Sequence, residues 1–257
     1  MKTSVSSEKP LKTLVIIPAA GRGVRMGGEN KLLLPLLGAP ILLRSIRAFQ
    51  DSPLITAITL AVSDDTAEFC KNHIQDRPEF TKVKKLVPGG PTRQDSVYNA
   101  LKKTTLYYDI ILVHDGARPL VTSSIITAAI KQAACHGAAV PVVEVKDTIK
   151  EVSEGVIKNT PLRSSLRAVQ TPQAFKSDLL MGAFEAAVKE NFTGTDEASL
   201  LERIAIPVCT FAGSYENIKI TTPEDMLIAE SILQRRASEK DSPDKSTAAA
   251  PEKDKKG

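Results

Sequence analysis

The sequence has no tryptophan, few other aromatic residues and only three cysteines. Aromatic side chains make up 4% of the 257 residues, so Val, Ile, Leu and Ala must fill the core. The cysteines, Cys70, Cys135 and Cys209, lie far apart and form no CxxC pair. This spacing argues against a disulfide scaffold and against a zinc site built from cysteines, and it favours a reducing compartment.

The sequence also lacks a strong charge excess and a long apolar run. Its net charge is only +4, and the basic residues are interspersed with acids. A nucleic-acid groove needs clustered charge of one sign, so this balance argues against one. No apolar stretch is long enough to span a bilayer, and residues 1–10 contain no apolar signal-peptide core. We therefore predict a cytoplasmic protein that binds neither nucleic acid nor membrane.

Short apolar runs alternate with helical patterns through most of the chain, which predicts an α/β fold. We expect strands over residues 14–17, 55–62, 83–87, 109–114, 138–145 and 207–212, with Pro141 interrupting the fifth. We expect helices over residues 41–50, 65–73, 95–103, 123–135, 179–189, 196–204 and 223–235, the last capped by Thr221 or Thr222. The order predicts a Rossmann-like, mostly parallel sheet with helices on both faces, and ligands in such sheets bind beyond the carboxyl ends of the strands.

Composition divides the chain into three parts. Residues 1–11 form a flexible N-terminus, residues 12–236 a single folded domain, and residues 237–257 a disordered tail with little to bury. Within the domain, the stretch 147–170 breaks the alternation of strands and helices. Its alternating apolar residues flank a turn at Ser153-Glu154-Gly155, which predicts a β-hairpin arm projecting from the sheet.

The loop after the first strand is rich in glycine and carries two cations. Its backbone around Gly21 and Gly23 can cradle phosphate oxygens, and Arg25 and Lys31 can offset the charge of a triphosphate. Met26 stands where a dinucleotide-binding fingerprint needs its third glycine, and the loop has no Gly-Lys-Ser/Thr sequence. These differences disfavour a nicotinamide dehydrogenase and a P-loop enzyme.

Two further loops follow strands. Gly89 and Gly90 let the backbone approach a flat ring closely, and Arg93 and Ser96 lie at the start of the next helix. A Pro-Gly-Gly turn and a helix cap would explain the same residues. Asp115 ends a buried strand, where a carboxylate can meet a nucleotide or its magnesium ion, although Asp-Gly is also a common turn.

Taken together, these segments resemble the 2-C-methyl-D-erythritol 4-phosphate cytidylyltransferase family of the non-mevalonate isoprenoid route. The likeness runs from about residue 14 to 233 and rests on blocks in the same order, at 18–31, 89–97, 114–119, 147–150, 170–175, 195–199 and 217–221. It implies transfer of CMP from CTP to methylerythritol phosphate with release of pyrophosphate. It also implies a magnesium ion bound with CTP and a homodimer formed through the arm.

The resemblance further implies roles for individual positions. Catalytic roles fall to Arg25, Lys31, Lys219 and Arg163. The nucleotide-binding positions are Ala19, Ala20, Gly21, Gly23, Gly89, Gly90, Arg93, Ser96, Asp115 and Ala117. The acceptor-binding positions are Arg118, Thr148, Arg163, Thr195 and Lys219. Asp115 is also the implied magnesium ligand.

Two alternatives stay open. A ribitol-5-phosphate cytidylyltransferase would share the CTP loops and differ in the arm and the acceptor pocket. A non-catalytic nucleotide-binding module would keep the fold without turnover, although Arg25, Lys31 and Lys219 are all present. A phosphate monoester acceptor is already nucleophilic, so the absence of a Ser-His or Cys-His pattern is compatible with catalysis through positioning and charge neutralisation.

Overall fold

The central strand of the sheet directs alternate side chains into two separate hydrophobic clusters. The computed structural model describes residues 10–21, 30–104 and 108–241. In the strand Thr13–Ala19, Val15 and Ile17 pack into one cluster, whereas Leu14 and Ile16 pack into the other. All four side chains are fully buried, as expected for a strand covered by helices on both faces.

Twelve strands and seven helices lie within the described residues. The strands are β1 (Thr13–Ala19), β2 (Pro35–Leu36), β3 (Ala39–Pro40), β4 (Ala57–Val62), β5 (Val83–Pro88), β6 (Ile110–Val113), β7 (Ala138–Glu144), β8 (Glu151–Ser153), β9 (Val156–Asn159), β10 (Arg167–Val169), β11 (Gln173–Lys176) and β12 (Cys209–Ala212). The helices are α1 (Ile41–Gln50), α2 (Asp64–His73), α3 (Arg93–Thr104), α4 (Ser123–His136), α5 (Ser177–Lys189), α6 (Glu197–Arg203) and α7 (Pro223–Asp241). The predicted strands and helices are therefore present, with shifted ends.

The main sheet has eight strands, and its centre is parallel. Strands β5, β4, β1 and β6 lie side by side in one direction, and β12 runs parallel to β7. Strands β10 and β11 are antiparallel to β7, and β11 also joins β7 to β6. The mostly parallel α/β fold is confirmed, although these two short antiparallel strands were not among the predicted ones.

Pro141 does not interrupt β7, contrary to the prediction. It stands within the strand opposite Phe211 of β12. Proline has no backbone N–H to donate, but the carbonyl of Pro141 still accepts a hydrogen bond from the Gln170 backbone N–H at 2.8 Å. The strand therefore stays paired with its neighbours at Pro141 and continues to Glu144.

The predicted hairpin is present as a separate two-stranded sheet formed by β8 and β9. Its turn contains Glu154 and Gly155, both with positive φ. Such a turn matches the twist of the two strands and favours glycine. The arm is shorter than the predicted 147–170, because residues 167–169 form β10 and pair with β7 in the main sheet.

The last helix begins at Pro223 as predicted, but its cap and its C-terminal end differ from the prediction. Its start is capped by Asp225, whose carboxylate accepts hydrogen bonds from the backbone N–H groups of Thr221 and Thr222, so the threonines donate rather than accept. The helix continues past residue 236 to Asp241, and the Arg235–Glu239 ion pair links its last turns. Residues 1–9 and 242–257, to which the flexible N-terminus and the disordered tail were largely assigned, lie outside the described residues.

Candidate active site

A cavity of about 710 Å³ opens beyond the carboxyl ends of the parallel strands. Four segments line it: the residues after β1 with Lys31 and Leu32, the β5–α3 loop, residues 115–117 after β6, and Lys219 with Thr221. The three loops that the sequence analysis selected therefore meet at one place, because the carboxyl ends of neighbouring parallel strands share one edge of the sheet.

Most of the predicted nucleotide-binding residues line this cavity. They are Ala20, Gly21, Gly90, Arg93, Ser96, Asp115 and Ala117, together with the predicted catalytic residues Lys31 and Lys219. Ala19 does not line it, because its side chain is fully buried at the end of β1. Gly23 and Arg25 lie outside the described residues.

Asp115 is the centre of charge in the cavity. Its carboxylate lies 3.1 Å from Nε of Arg93, 2.9 Å from Nζ of Lys219 and 3.7 Å from Nε of Arg118. Burial alone would raise the pKa of Asp115, but the three positive charges outweigh burial and hold that pKa well below its ordinary value. Asp115 is therefore ionised throughout the neutral pH range.

A second acid, Glu197, faces Arg93 from the opposite side. The carboxylate oxygens of Glu197 accept hydrogen bonds from Nη1 and Nη2 of Arg93 at 2.7 and 3.0 Å. Burial raises the pKa of Glu197, and the guanidinium offsets only part of that effect. Burial opposes the charge of Arg93 too, but the two carboxylates raise its pKa. Arg93 thus bridges two carboxylates, one in the cavity wall and one behind it.

The glycines of the β5–α3 loop are required by close packing. A Cβ on Gly89 would lie 2.2 Å from Cβ of Ala20, and one on Gly90 would lie 2.3 Å from Cβ of Asp95. The side chain of Ser96 accepts a hydrogen bond from the Gly90 N–H at 2.9 Å. Gly89 contributes to the site by letting this loop pack against Ala20, whereas Gly90 itself lines the cavity.

The loop meets α3 through a reciprocal cap, which explains why the helix begins at Arg93 rather than at the predicted Asp95. The Thr92 hydroxyl accepts a hydrogen bond from the Asp95 N–H at 3.1 Å, and the Asp95 carboxylate accepts one from the Thr92 N–H at 3.1 Å. This is a capping box, which adds a turn at the start of the helix. The first turn of α3 thereby presents Arg93 to the cavity.

The two lysines in the cavity approach the same short segment of chain. Lys31 donates a hydrogen bond from Nζ to the backbone carbonyl of Ile220 at 3.0 Å, and Lys219 precedes Ile220 in sequence. Ile220 itself is fully buried, and its N–H donates to the Ala117 carbonyl at 2.8 Å. Both ammonium groups are thus held next to the Asp115 loop, although Lys31 lies in the first third of the chain and Lys219 in the last.

His114 holds the Asp115 turn through a chain of hydrogen bonds. Its Nε2 lies 3.1 Å from the Arg118 carbonyl, which can only accept, so Nε2 carries the proton. Its Nδ1 then accepts from the Thr171 hydroxyl at 3.1 Å, and that hydroxyl accepts from the Asp115 N–H at 3.0 Å. Burial lowers the pKa of His114 to about 4, so the ring is neutral at pH 7.

The predicted acceptor-binding residues are placed less uniformly. Arg118 does not line the cavity, because its guanidinium donates through Nη1 to the Asn217 carbonyl at 2.7 Å, behind Asp115. Thr148, Arg163 and Thr195 are exposed and outside the cavity of this chain. Arg163 donates from Nη1 to the Lys146 carbonyl at 3.1 Å, near the base of the arm.

Glu197 and Thr171 were not among the sequence-predicted residues. Glu197 lies in the first turn of α6, where an acid usually stays in solvent and interacts with the helix dipole. Only the tertiary structure, which pairs it with Arg93 at the start of α3, shows that it is buried. Thr171 carries no sequence signal apart from its place in the block 170–175, because a single threonine in a loop has many uses.

Within residues 10–21, 30–104 and 108–241, no group of three or more His, Cys, Asp or Glu side chains is arranged to hold a metal ion. Among the helices described in those ranges, none is both long enough and apolar enough to cross a membrane.

The sequence matches a known family over nearly all of the described domain. The model of the family described as IspD, 2-C-methyl-D-erythritol 4-phosphate cytidylyltransferase, matches residues 13–235. A relative of that name from Bacillus thuringiensis (strain Al Hakam) is 47% identical over 220 residues, which cover 85% of this chain and 96% of the relative. A relative of the same name from Geobacter metallireducens is 43% identical over 230 residues, covering 88% and 99%.

Solved structures give the same result for the fold. The 4-diphosphocytidyl-2C-methyl-D-erythritol synthase of Anaerococcus prevotii DSM 20548 matches with a TM-score of 0.77 and 28% identity, over 88% of this chain and 97% of that one. The 2-C-methyl-D-erythritol 4-phosphate cytidylyltransferase of Francisella tularensis matches with a TM-score of 0.74 and 32% identity, over 86% and 99%. The resemblance and the fold class inferred from the sequence are both confirmed.

Proposed function

The chain belongs to the 2-C-methyl-D-erythritol 4-phosphate cytidylyltransferase family, and on that premise we propose that it transfers CMP from CTP to 2-C-methyl-D-erythritol 4-phosphate. The products are CDP-methylerythritol and pyrophosphate, and the reaction supplies isoprenoid precursors by the non-mevalonate route. The observation that carries the proposal is the cavity that joins Lys31, Lys219, Arg93 and Asp115 beyond the carboxyl ends of the strands. The cavity lies wholly within the matched residues 13–235.

The reaction needs charge neutralisation and alignment more than proton transfer. An oxygen of the acceptor phosphate forms a bond to the α-phosphorus of CTP, and the bond from that phosphorus to the α,β-bridging oxygen breaks. Pyrophosphate leaves with the electron pair. A phosphate dianion is already a nucleophile, so no general base is required. The neutral, fully buried His114 agrees with this, because it holds the Asp115 turn and does not line the cavity.

We propose that Lys31 and Lys219 bind the two anions that meet in the cavity, CTP and the acceptor phosphate. Two polyanions repel each other, and fixed cations stabilise the transition state where negative charge develops on the α-phosphate. Lys219 is held against Asp115 and Lys31 against the Ile220 carbonyl, so both ammonium groups are positioned before substrate binds. Arg25, the third cation of the family pattern, belongs to the same proposal but lies outside the described residues.

We assign the cytosine and ribose to the β5–α3 loop. Gly90, Arg93 and Ser96 line the cavity there, and close packing against Ala20 and Asp95 leaves no room for side chains on the two glycines. A rigid backbone edge of this kind can select a small pyrimidine through its fixed N–H and C=O groups.

We propose that magnesium binds together with CTP. When bound, the ion would neutralise triphosphate charge and favour departure of pyrophosphate. Asp115 is the one acid among the described lining residues, and magnesium commonly takes one or two carboxylates and completes its shell with phosphates and water. Asp115 fits this role because it stays ionised, but both of its oxygens already face Arg93 and Lys219. The ion would therefore share the carboxylate with these cations.

We propose that the chain forms a homodimer through the arm. Several apolar side chains of the arm are largely exposed: Val152 is 60% exposed, Val156 57%, Ile157 59% and Leu162 73%. A two-stranded hairpin is only marginally stable by itself, and a patch of exposed apolar side chains marks an interaction surface. In a dimer, Thr148 and Arg163 of one arm would serve the acceptor site of the other copy, which explains why they do not reach the cavity of their own chain.

We also place the reaction in the cytoplasm. Cys70, Cys135 and Cys209 are all free thiols in the structure, which suits a reducing compartment. Neither a nucleic acid nor a membrane has a role in the proposed chemistry.

The test is pyrophosphate release from CTP and magnesium, with methylerythritol 4-phosphate and ribitol 5-phosphate offered in parallel. We expect fast release with methylerythritol 4-phosphate only. Release with ribitol 5-phosphate alone would keep the chemistry and replace the acceptor. No release with either acceptor, from folded protein that binds CTP by calorimetry, would leave a non-catalytic nucleotide-binding module.

A further inference from the structure

We propose that Glu197 is a positioning residue that acts through Arg93 on the Asp115–Lys219 pair. The inference rests on the proposed function. Glu197 is 1% exposed and does not line the cavity, so it does not itself touch the substrates. Its carboxylate instead holds the far side of a guanidinium whose near side holds Asp115.

The geometry restricts Arg93 to one orientation. Glu197 accepts from both Nη atoms, and Asp115 accepts from Nε at 3.1 Å. A planar guanidinium held at three of its N–H groups cannot rotate without breaking hydrogen bonds to buried carboxylates. Asp115 in turn holds Lys219 at 2.9 Å, so the orientation of Arg93 is transmitted to the Lys219 ammonium.

The segment that carries Glu197 is itself fixed to the start of α3 and to the sheet. Gln94, the neighbour of Arg93, accepts from the Gly194 N–H at 2.9 Å and donates to the Phe192 carbonyl at 3.0 Å. The buried Gln173 of β11 accepts from the Ala198 N–H at 3.1 Å. Hydrogen bonds on both sides of Glu197 therefore hold its carboxylate at a set distance from Arg93.

The negative charge of Glu197 has a second consequence. It compensates Arg93, so that the excess positive charge of the cavity rests on Lys31 and Lys219 rather than on the guanidinium. Without that charge, Asp115 is the remaining carboxylate partner of Arg93, and the Nη end of the guanidinium can turn toward the triphosphate. CTP would then bind at least as well, but Asp115 and Lys219 would lose their alignment at the reacting phosphate.

The first experiment is steady-state kinetics of Glu197→Gln, which keeps the size of the side chain and removes its charge. We expect kcat to fall about 10- to 100-fold, because small displacements of positioning groups are costly to turnover. We expect the KM for CTP to stay the same or decrease. Glu197→Asp, which keeps the charge but shortens the reach, should give an intermediate kcat.

Glu190→Gln removes the carboxylate partner of Arg203 on the surface and is the matched control, expected to leave kcat and KM unchanged.

A double-mutant cycle shows whether Glu197 acts through Arg93. Glu197→Gln should have little further effect on kcat in an Arg93→Gln background, because groups that act as one unit are not additive. Additive losses would overturn the proposal. So would a wild-type kcat for Glu197→Gln, or a raised KM with a lower Tm and no change in kcat, which would indicate a purely structural role.

A measurement without turnover separates this inference from the proposed function. In ¹⁵N-labelled protein, the Arg93 Nε–H signal should be sharp and slow to exchange, and it should disappear or broaden in Glu197→Gln. An inactive wild-type protein with this change in signal would refute the proposed function and retain the positioning role. An unchanged signal would overturn the positioning role whether or not the wild-type protein turns over CTP.

Discussion

The Nζ atom of Lys219 lies 2.9 Å from Oδ2 of Asp115, beyond the carboxyl end of β6. The pair joins the loop between β12 and α7 to the turn after β6. Lys219 is 40% exposed, whereas Asp115 has only 10% of its side chain exposed. The carboxylate is thus anchored in the protein, and the ammonium group extends from it toward the cavity.

This relationship predicts that Lys219→Ala lowers turnover strongly and leaves the fold intact. Asp115 would keep Arg93 and Arg118 as partners, so no buried charge is left unpaired. Loss of one fixed donor at a developing anion typically costs about 10²- to 10³-fold in kcat. The measurement is kcat for pyrophosphate release, with a thermal melt to show that the variant is folded.

Lys189→Ala is the control for that experiment, because Lys189 is an exposed lysine in the last turn of α5 and outside the cavity. It should have wild-type kcat. A near-normal kcat for Lys219→Ala would mean that Lys219 has no part in stabilising the transition state.

The position of the site could be predicted from the sequence because parallel strands impose it. The buried run at β1, the glycines after β5 and Asp115 after β6 each mark the end of a strand, and the fold brings those ends together. Arg93 was found by the same rule. The rule does not give the direction of a side chain. Arg118 was therefore expected in the cavity, whereas its guanidinium donates to the Asn217 carbonyl behind Asp115.

Features that depend on tertiary packing were not predictable. Glu197 follows the rules for an exposed acid in a first helical turn, yet it is buried and pairs with Arg93 of α3. The strands β10 and β11 are three and four residues long and antiparallel to their neighbours, so no pattern of period two could develop. The arm residues Thr148 and Arg163 are exposed in the single chain, and in the proposed dimer their surroundings would come from the second copy.

The close packing of Gly89 predicts that Gly89→Ala damages both stability and nucleotide binding. The new methyl group would lie 2.2 Å from Cβ of Ala20, at the end of a central strand. Overpacking of this kind usually costs about 1–3 kcal/mol of unfolding free energy. Movement of the loop should also raise the KM for CTP, because Gly90 and Ser96 move with it. Urea unfolding and steady-state kinetics measure the two effects.

Gly182→Ala is a matched control with the opposite expected sign. Gly182 lies inside α5, and a Cβ there would have no heavy atom within 4 Å. Alanine in a helix interior is about 0.8–1 kcal/mol more favourable than glycine. The variant should therefore be more stable and have an unchanged KM for CTP. Equal destabilisation by both substitutions would contradict the packing argument for Gly89.

The buried His114 predicts a loss of stability in mild acid. Its pKa is lowered to about 4 in the folded protein by burial, whereas an unfolded histidine titrates near 6.5. The unfolded state therefore binds more protons between these values, so the contribution of neutral His114 is complete above pH 6.5 and is lost as the pH falls toward 4. Linkage gives a loss of about 2 kcal/mol between pH 7.5 and pH 5.

His114→Gln tests that assignment, because glutamine keeps a donor and an acceptor but does not titrate. The variant should be less stable than the wild type at pH 7.5, and the difference should shrink by pH 5 in urea unfolding. If the difference in unfolding free energy were the same at both pH values, His114 would not be the titrating group.

The exposed arm predicts that one charge there abolishes dimer formation. Val152 is 60% exposed in the single chain, and in the proposed dimer it lies in the covered face of the arm. Val152→Glu would bury an unpaired carboxylate in that interface, which is costly enough to favour the monomer. Sedimentation velocity should show wild-type dimer and variant monomer at the same concentration.

Val188→Glu on α5 is the control, because Val188 is equally exposed at 59% but lies outside the arm. A monomeric wild-type protein, or a dimeric Val152→Glu variant with full activity, would remove the arm from the interface and with it the cross-subunit role of Arg163.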